Sequence, residues 1–148
     1  MEYVGIIVAA AIAVAFYALS VRSSLKNALI SGILGGTSYG FYLLLSNYVN
    51  PITSVFFATL TGCLSAELAA RWAKTPATVF SIPVIIPLVP GLMLYNTMLK
   101  FGQGDTAGGG KGVVDTLILA GGMSLAVTLA TLIAKLITAI GKRIEQKK

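Results

Sequence analysis

The chain has 148 residues, of which 56% are hydrophobic and only 11% charged, with a mean hydropathy of +0.86. That balance excludes an ordinary soluble domain and predicts one all-α transmembrane domain over residues 1–148. Eleven Lys and Arg against five Asp and Glu give a net charge of +6, yet the cations flank apolar runs instead of forming a basic face with interleaved aromatics, which excludes a nucleic-acid surface.

Five apolar stretches follow in chain order, at about 3–20, 28–45, 51–72, 76–99 and 113–140, each within reach of the ~17–25 residues that cross a bilayer core. The first is preceded by Glu2 and no cation and is long for a signal core, so it reads as a retained span. The second carries Gly32, Gly36 and Gly40 at four-residue intervals. Residues four apart share a helix face, and a smooth face of this kind lets another helix approach closely. Ser38 and Tyr39 stand beside it, either as packing residues or beside a substrate path. Asn50-Pro51 is a cap followed by a first-turn proline and opens the third stretch.

Near the end of the third stretch, Glu67 and Arg71 are spaced for an intrahelical ion pair. An acid within a span is also a functional candidate by default. Glu67 therefore has two readings, a partner of Arg71 or a group that carries a coupling proton or contacts a cationic substrate group. Thr75-Pro76 opens the fourth stretch. Beyond it, residues 101–112 hold six glycines and predict a flexible external loop. Gly110-Lys111 is not a phosphate loop, because Asp105 stands where glycine is needed, Gly112 follows the lysine and no strand precedes it. In the fifth stretch, Gly121, Gly122 and Ser124 form a weaker small-residue cluster. Asp115, at its outer end, is a solvated residue or an entrance charge.

Charge orients the bundle. With five crossings, Arg22, Lys26, Arg71, Lys74, Lys135, Lys142, Arg143, Lys147 and Lys148 share one side, against Lys100 and Lys111 on the other. The positive-inside bias then places the N-terminus outside and the C-terminus in the cytoplasm.

The most specific feature is the break in the fourth stretch, where Pro83, Pro87 and Pro90 precede Gly91. Each proline removes a helical N–H and disfavours helical dihedrals in the residue before it. Broken backbone at membrane depth is tolerated where it packs in protein or lines a polar cavity. A second half-helix starting at Pro90 offers the N–H groups of Gly91 and Leu92 to a carboxylate, with Tyr95 and Asn96 one turn later. The carbonyls freed before Pro87 and Pro90 face the same region. The candidate substrate site is therefore Pro87, Pro90, Gly91, Leu92, Tyr95 and Asn96. Without histidine, and with Cys63 as the sole cysteine, the chain has no Cys/His metal site or intrachain disulfide of its own. It also lacks an enzyme's constellation and a nucleotide loop, and no cofactor is expected.

The run from Pro83 to Tyr95, the upstream Arg71-Trp72-Ala73-Lys74-Thr75-Pro76 and the segment from Val21 to Gly36 resemble the threonine/serine exporter family. The closer likeness is to its small, stand-alone membrane subunit, which corresponds to the C-terminal membrane half of fused exporters. The resemblance implies export of small hydrophilic metabolites across the bacterial inner membrane, threonine and serine or succinate-like dicarboxylates. It also implies work with a larger, separately encoded five-span companion. The rival reading is a membrane scaffold that assembles a companion which alone binds substrate.

Overall fold

A computed structural model describes the backbone of residues 2–145 and the side chains of residues 3–140. Lys147 and Lys148 lie outside the described residues, and the side chains of Glu2, Lys142 and Arg143 lie outside those described. The described residues are helical, in the order α1 (Glu2–Ser20), α2 (Leu25–Ser46), α3 (Pro51–Ala73), α4 (Thr78–Ile85), α5 (Gly91–Gly102) and α6 (Thr106–Glu145), with a 3-10 turn at Ile86–Leu88 between α4 and α5. Four helices are long and apolar enough to cross a membrane, and the bent pair Thr78–Leu88 and Gly91–Gly102 makes a fifth if it is one span.

Local chemistry sets the boundaries. Ser24 caps α2 by accepting the Asn27 N–H at 3.4 Å, and Pro51 occupies the first turn of α3, where its missing N–H has no helical use. Lys74 closes α3 in the left-handed region (φ 52°), with the Thr75 N–H returning to the Ala70 carbonyl at 3.0 Å. Arg22 does the same after α1 (φ 60°), with Ser23 bonded to the Ala18 carbonyl at 3.1 Å. Both turns have the hydrogen bonding of a Schellman ending, with a cation where glycine is usual.

Small residues govern the packing. A β-carbon on Gly32 would lie 2.8 Å from the Ala11 carbonyl oxygen, one on Gly36 2.8 Å from the Ala11 β-carbon, and one on Gly40 3.0 Å from Ile7. The glycine face of α2 is thus filled by α1 of the same chain. On the other side of α2, the Ser38 hydroxyl donates to the Ala58 carbonyl at 2.8 Å, and a β-carbon on Gly62 would meet Ser38 and Val84. This is where α2, α3 and α4 converge. Helix α4 is wedged among α1, α2 and α3, and Phe80 and Val84 are fully buried there. The apolar residues left on the outside suit lipid, so van der Waals fit and interhelical hydrogen bonds hold the bundle more than hydrophobic burial does.

Two expectations are corrected. Pro83 does not break the helix but lies buried inside α4 as its sixth residue, where its missing N–H costs one helical bond, that to the Val79 carbonyl. Residues 101–112 are not a flexible loop, because α6 begins at Thr106. Asp105 caps it by accepting the Gly108 N–H at 2.8 Å. The glycines beyond are helical because α5 lies against them. A β-carbon on Gly109 would come 2.8 Å from the Phe101 ring, and one on Gly112 would collide with Thr97.

Candidate functional site

The break falls between Leu88 and Gly91. Pro87 sits in the 3-10 turn, Val89 is extended (φ −62°, ψ 133°), and α5 departs with a bend of 46°. The tighter turn reclaims the carbonyls expected to be free. Ile86 donates to the Pro83 carbonyl, and Val89 donates to the Ile86 carbonyl at 3.1 Å. A 3-10 turn makes such exchanges because its bonds span three residues instead of four. The Gly91 N–H is likewise taken, by the Val89 carbonyl at 2.7 Å, and that of Leu94 by the Pro90 carbonyl at 3.0 Å. Among the described residues this leaves the N–H groups of Leu92 and Met93 as the open donors at the start of α5.

A cavity of about 510 Å³ opens beside this break. Its walls are Pro87 to Pro90, the inner face of α5 from Leu92 to Lys100, Tyr39 and Tyr42 of α2, Pro51 and Val55 of α3, and Gly112, Asp115 and Leu119 of α6. Pro51 is the first residue of α3. The cavity therefore lies at the end of the bundle opposite the turns that carry Arg22, Lys26 and Lys74. Its volume is within the range of about 300–1,000 Å³ typical of ligand sites. Tyr39 and Tyr42 stand with ring centroids 5.6 Å apart in a tilted arrangement and supply an aromatic wall.

Of the predicted substrate residues, Pro87, Pro90, Leu92 and Asn96 line this cavity. Gly91 and Tyr95 do not. A β-carbon on Gly91 would meet nothing within 4 Å, and Tyr95 is 64% exposed. Ser38 is buried in its bond to α3, whereas its neighbour Tyr39 reaches the cavity. Glu67 and Arg71 lie at the opposite end of α3 and form no ion pair among the described residues. Arg71 donates instead to the Ala134 carbonyl on α6, tying the two helices together. Gly32, Gly36 and Gly40 serve the contact with α1.

Lys100 and Thr97 also line the cavity. They follow Asn96 along α5, and nothing in their local sequence marks them as part of a site. Their position becomes evident once Gly109 and Gly112 press α6 against α5.

The family model described as "Threonine/Serine exporter, ThrE" matches residues 6–133. A threonine/serine exporter of Corynebacterium glutamicum is 25% identical over 129 residues, covering 87% of this chain and 26% of that protein. The chain therefore spans about a quarter of the length of that relative. No solved structure matches. A match over most of the chain, on a bundle of apolar helices, settles the assignment: this multi-pass membrane protein belongs to the threonine/serine exporter family.

Proposed function

We propose that the chain is the membrane subunit of a two-component secondary exporter for small carboxylate-bearing metabolites, either hydroxy amino acids or succinate-like dicarboxylates. The observation that carries this reading is the cavity at the broken helix, where Pro87, Pro90, Leu92 and Asn96 meet polar residues of α2 and α6. Discontinuous helices place substrate sites in transporters in this manner. The bent pair counts as one span, with the N-terminus outside and the C-terminus in the cytoplasm of the bacterial inner membrane. The cavity then opens outward. Glu67, with no cation partner among the described residues, is the candidate to carry a coupling proton, and Arg71 holds the helix on which it sits.

Two observations support the reading of a larger five-span companion. The chain spans 26% of the relative it matches, and α5 packs on α6 alone among the helices, leaving its other side uncovered. The exposure of Gly91 and Tyr95 on α5 favours a second reading, a scaffold whose break docks the companion. The two separate in a reconstituted pair. For an exporter subunit, Asn96→Ala and Pro87→Ala lower export of threonine, serine or succinate at normal complex yield. For a scaffold, the same substitutions lower yield or change nothing.

A further inference from the structure

We infer that Lys100 and Asp115 are the specificity-determining pair of the cavity, with Lys100 taking the carboxylate of the cargo and Asp115 its ammonium group. The inference rests on the exporter reading above and deepens it, selecting a zwitterionic α-amino acid over a dicarboxylate.

Lys100 and Asp115 are the only ionisable side chains of Lys, Arg, Asp or Glu type on the cavity wall. They stand on neighbouring helices, α5 and α6, yet form no ion pair with each other. Lys100 is exposed and Asp115 half-buried at the open end of the bundle, so both charges remain within reach of a solute that enters from water. Held apart around a cavity, they leave complementary poles for a solute that carries both charges. Asn96 precedes Lys100 by one turn on the same helix face and adds an amide donor on the carboxylate side. Tyr39 and Tyr42 face a short side chain with their rings and hydroxyls. The cavity's formal charge sums to zero, which matches a zwitterion. A dicarboxylate would gain one favourable contact at Lys100 and set its second carboxylate against Asp115, and like charges in such a site oppose binding.

The packing that brings the two helices of the poles together belongs to the chain itself. Gly109 and Gly112 bring α6 against Phe101 and Thr97, and Asp115 lies almost one turn further along α6. The Thr97 hydroxyl is occupied by the Met93 carbonyl at 2.8 Å and that of Thr116 by the Gly112 carbonyl at 2.7 Å. Neither is free to neutralise the carboxylate of Asp115 as a donor.

The test uses the assembled exporter in vesicles loaded with threonine or with succinate, with export normalised to complex yield. Asp115→Asn is expected to lower threonine export about tenfold or more while succinate export holds or rises, and Lys100→Gln to lower both. Should Asp115→Asn fail to assemble, Asp115→Glu reads the same contrast: displacing the carboxylate by one methylene must raise the KM for threonine, while the retained negative charge must give succinate no gain, and a threonine KM equal to that of the wild type overturns the assignment. Equal loss of both cargoes at normal yield, or no change in either, overturns the assignment of the poles and leaves the exporter reading standing. The same holds if the wild type exports succinate but not threonine. A wild-type pair that exports neither cargo overturns the exporter reading and this inference together.

Discussion

Gly109 on α6 lies against the ring of Phe101 on α5, so closely that a β-carbon would come within 2.8 Å of it. This contact and that of Gly112 with Thr97 fix α5, whose backbone approaches no other helix among the described residues. The outer wall of the cavity therefore depends on two missing side chains.

Gly109→Leu is expected to push α5 away from α6 and cost about 1–3 kcal/mol, the usual range for overpacking. A lower melting temperature in detergent checks it, along with faster proteolysis at the 103–105 turn. Gly110→Ala, where a β-carbon meets nothing within 4 Å, serves as the control and should melt at or above the wild-type temperature, alanine being the better helix former.

Gly36→Leu should destabilise the purified chain on its own, without any partner, because the groove at Gly36 is filled by α1 of the same chain. The clash is with the β-carbon and backbone of Ala11, which no rotamer change relieves. A melting curve of the single chain that matches wild type would show that α1 does not occupy this face.

Removing the Ser38 hydroxyl should have a modest effect. Its bond to the Ala58 carbonyl is buried and joins α2 to α3, but hydrogen bonds between membrane helices average about 0.6 kcal/mol and rarely exceed about 1.7. Ser38→Ala is expected to fall in that range. Ser38→Leu should be far worse, because Gly62 leaves no room beside it.

At the break, Pro90→Ala restores an N–H that competes for the Ile86 carbonyl now held by Val89. The bend should lessen, with export falling while the melting temperature holds or rises. Gly91→Ala separates the chain from whatever lies outside it, since space beside Gly91 is open. It should leave the melt of the chain unchanged, and an export defect at that position then reports a contact made by substrate or companion.

Side-specific labelling tests the crossing of the bent pair. In a Cys63→Ala background, single cysteines replace Tyr48, Lys74 and Gln103, each in a turn between helices. An impermeant reagent outside the cell should label those at 48 and 103 and spare that at 74. Labelling at 103 from the same side as 74 would mean that α4 and α5 re-enter instead of crossing.

Much of this was legible in the residues. The ends of α3 followed from Asn50-Pro51 and the charged turn at Lys74, and the break from its prolines. Pro83 is carried inside α4 by packing among three neighbouring helices, which a single sequence does not display. Gly109 and Gly112 suggest backbone freedom in the sequence and answer a demand for space in the fold. The demand comes from Phe101 and Thr97, and a single sequence does not display that pairing. Asp105, a good capping residue ahead of Thr106, was the local sign that a helix begins there. Lys100 and Asp115 belong to one site only after that pairing is made.

Arg22 and Lys74 each hold a backbone conformation that glycine adopts freely, and each adds a positive charge at the same end of the bundle. Steric demand and topological signal thus reside in single residues, and they can be pulled apart. Replacing both by glycine keeps the two bends at less strain and removes two of the charges that retain this end in the cytoplasm. A chain altered in this way would keep its internal packing while losing part of its instruction about which way to face, so that mis-inserted molecules would be well folded and escape any screen based on stability alone.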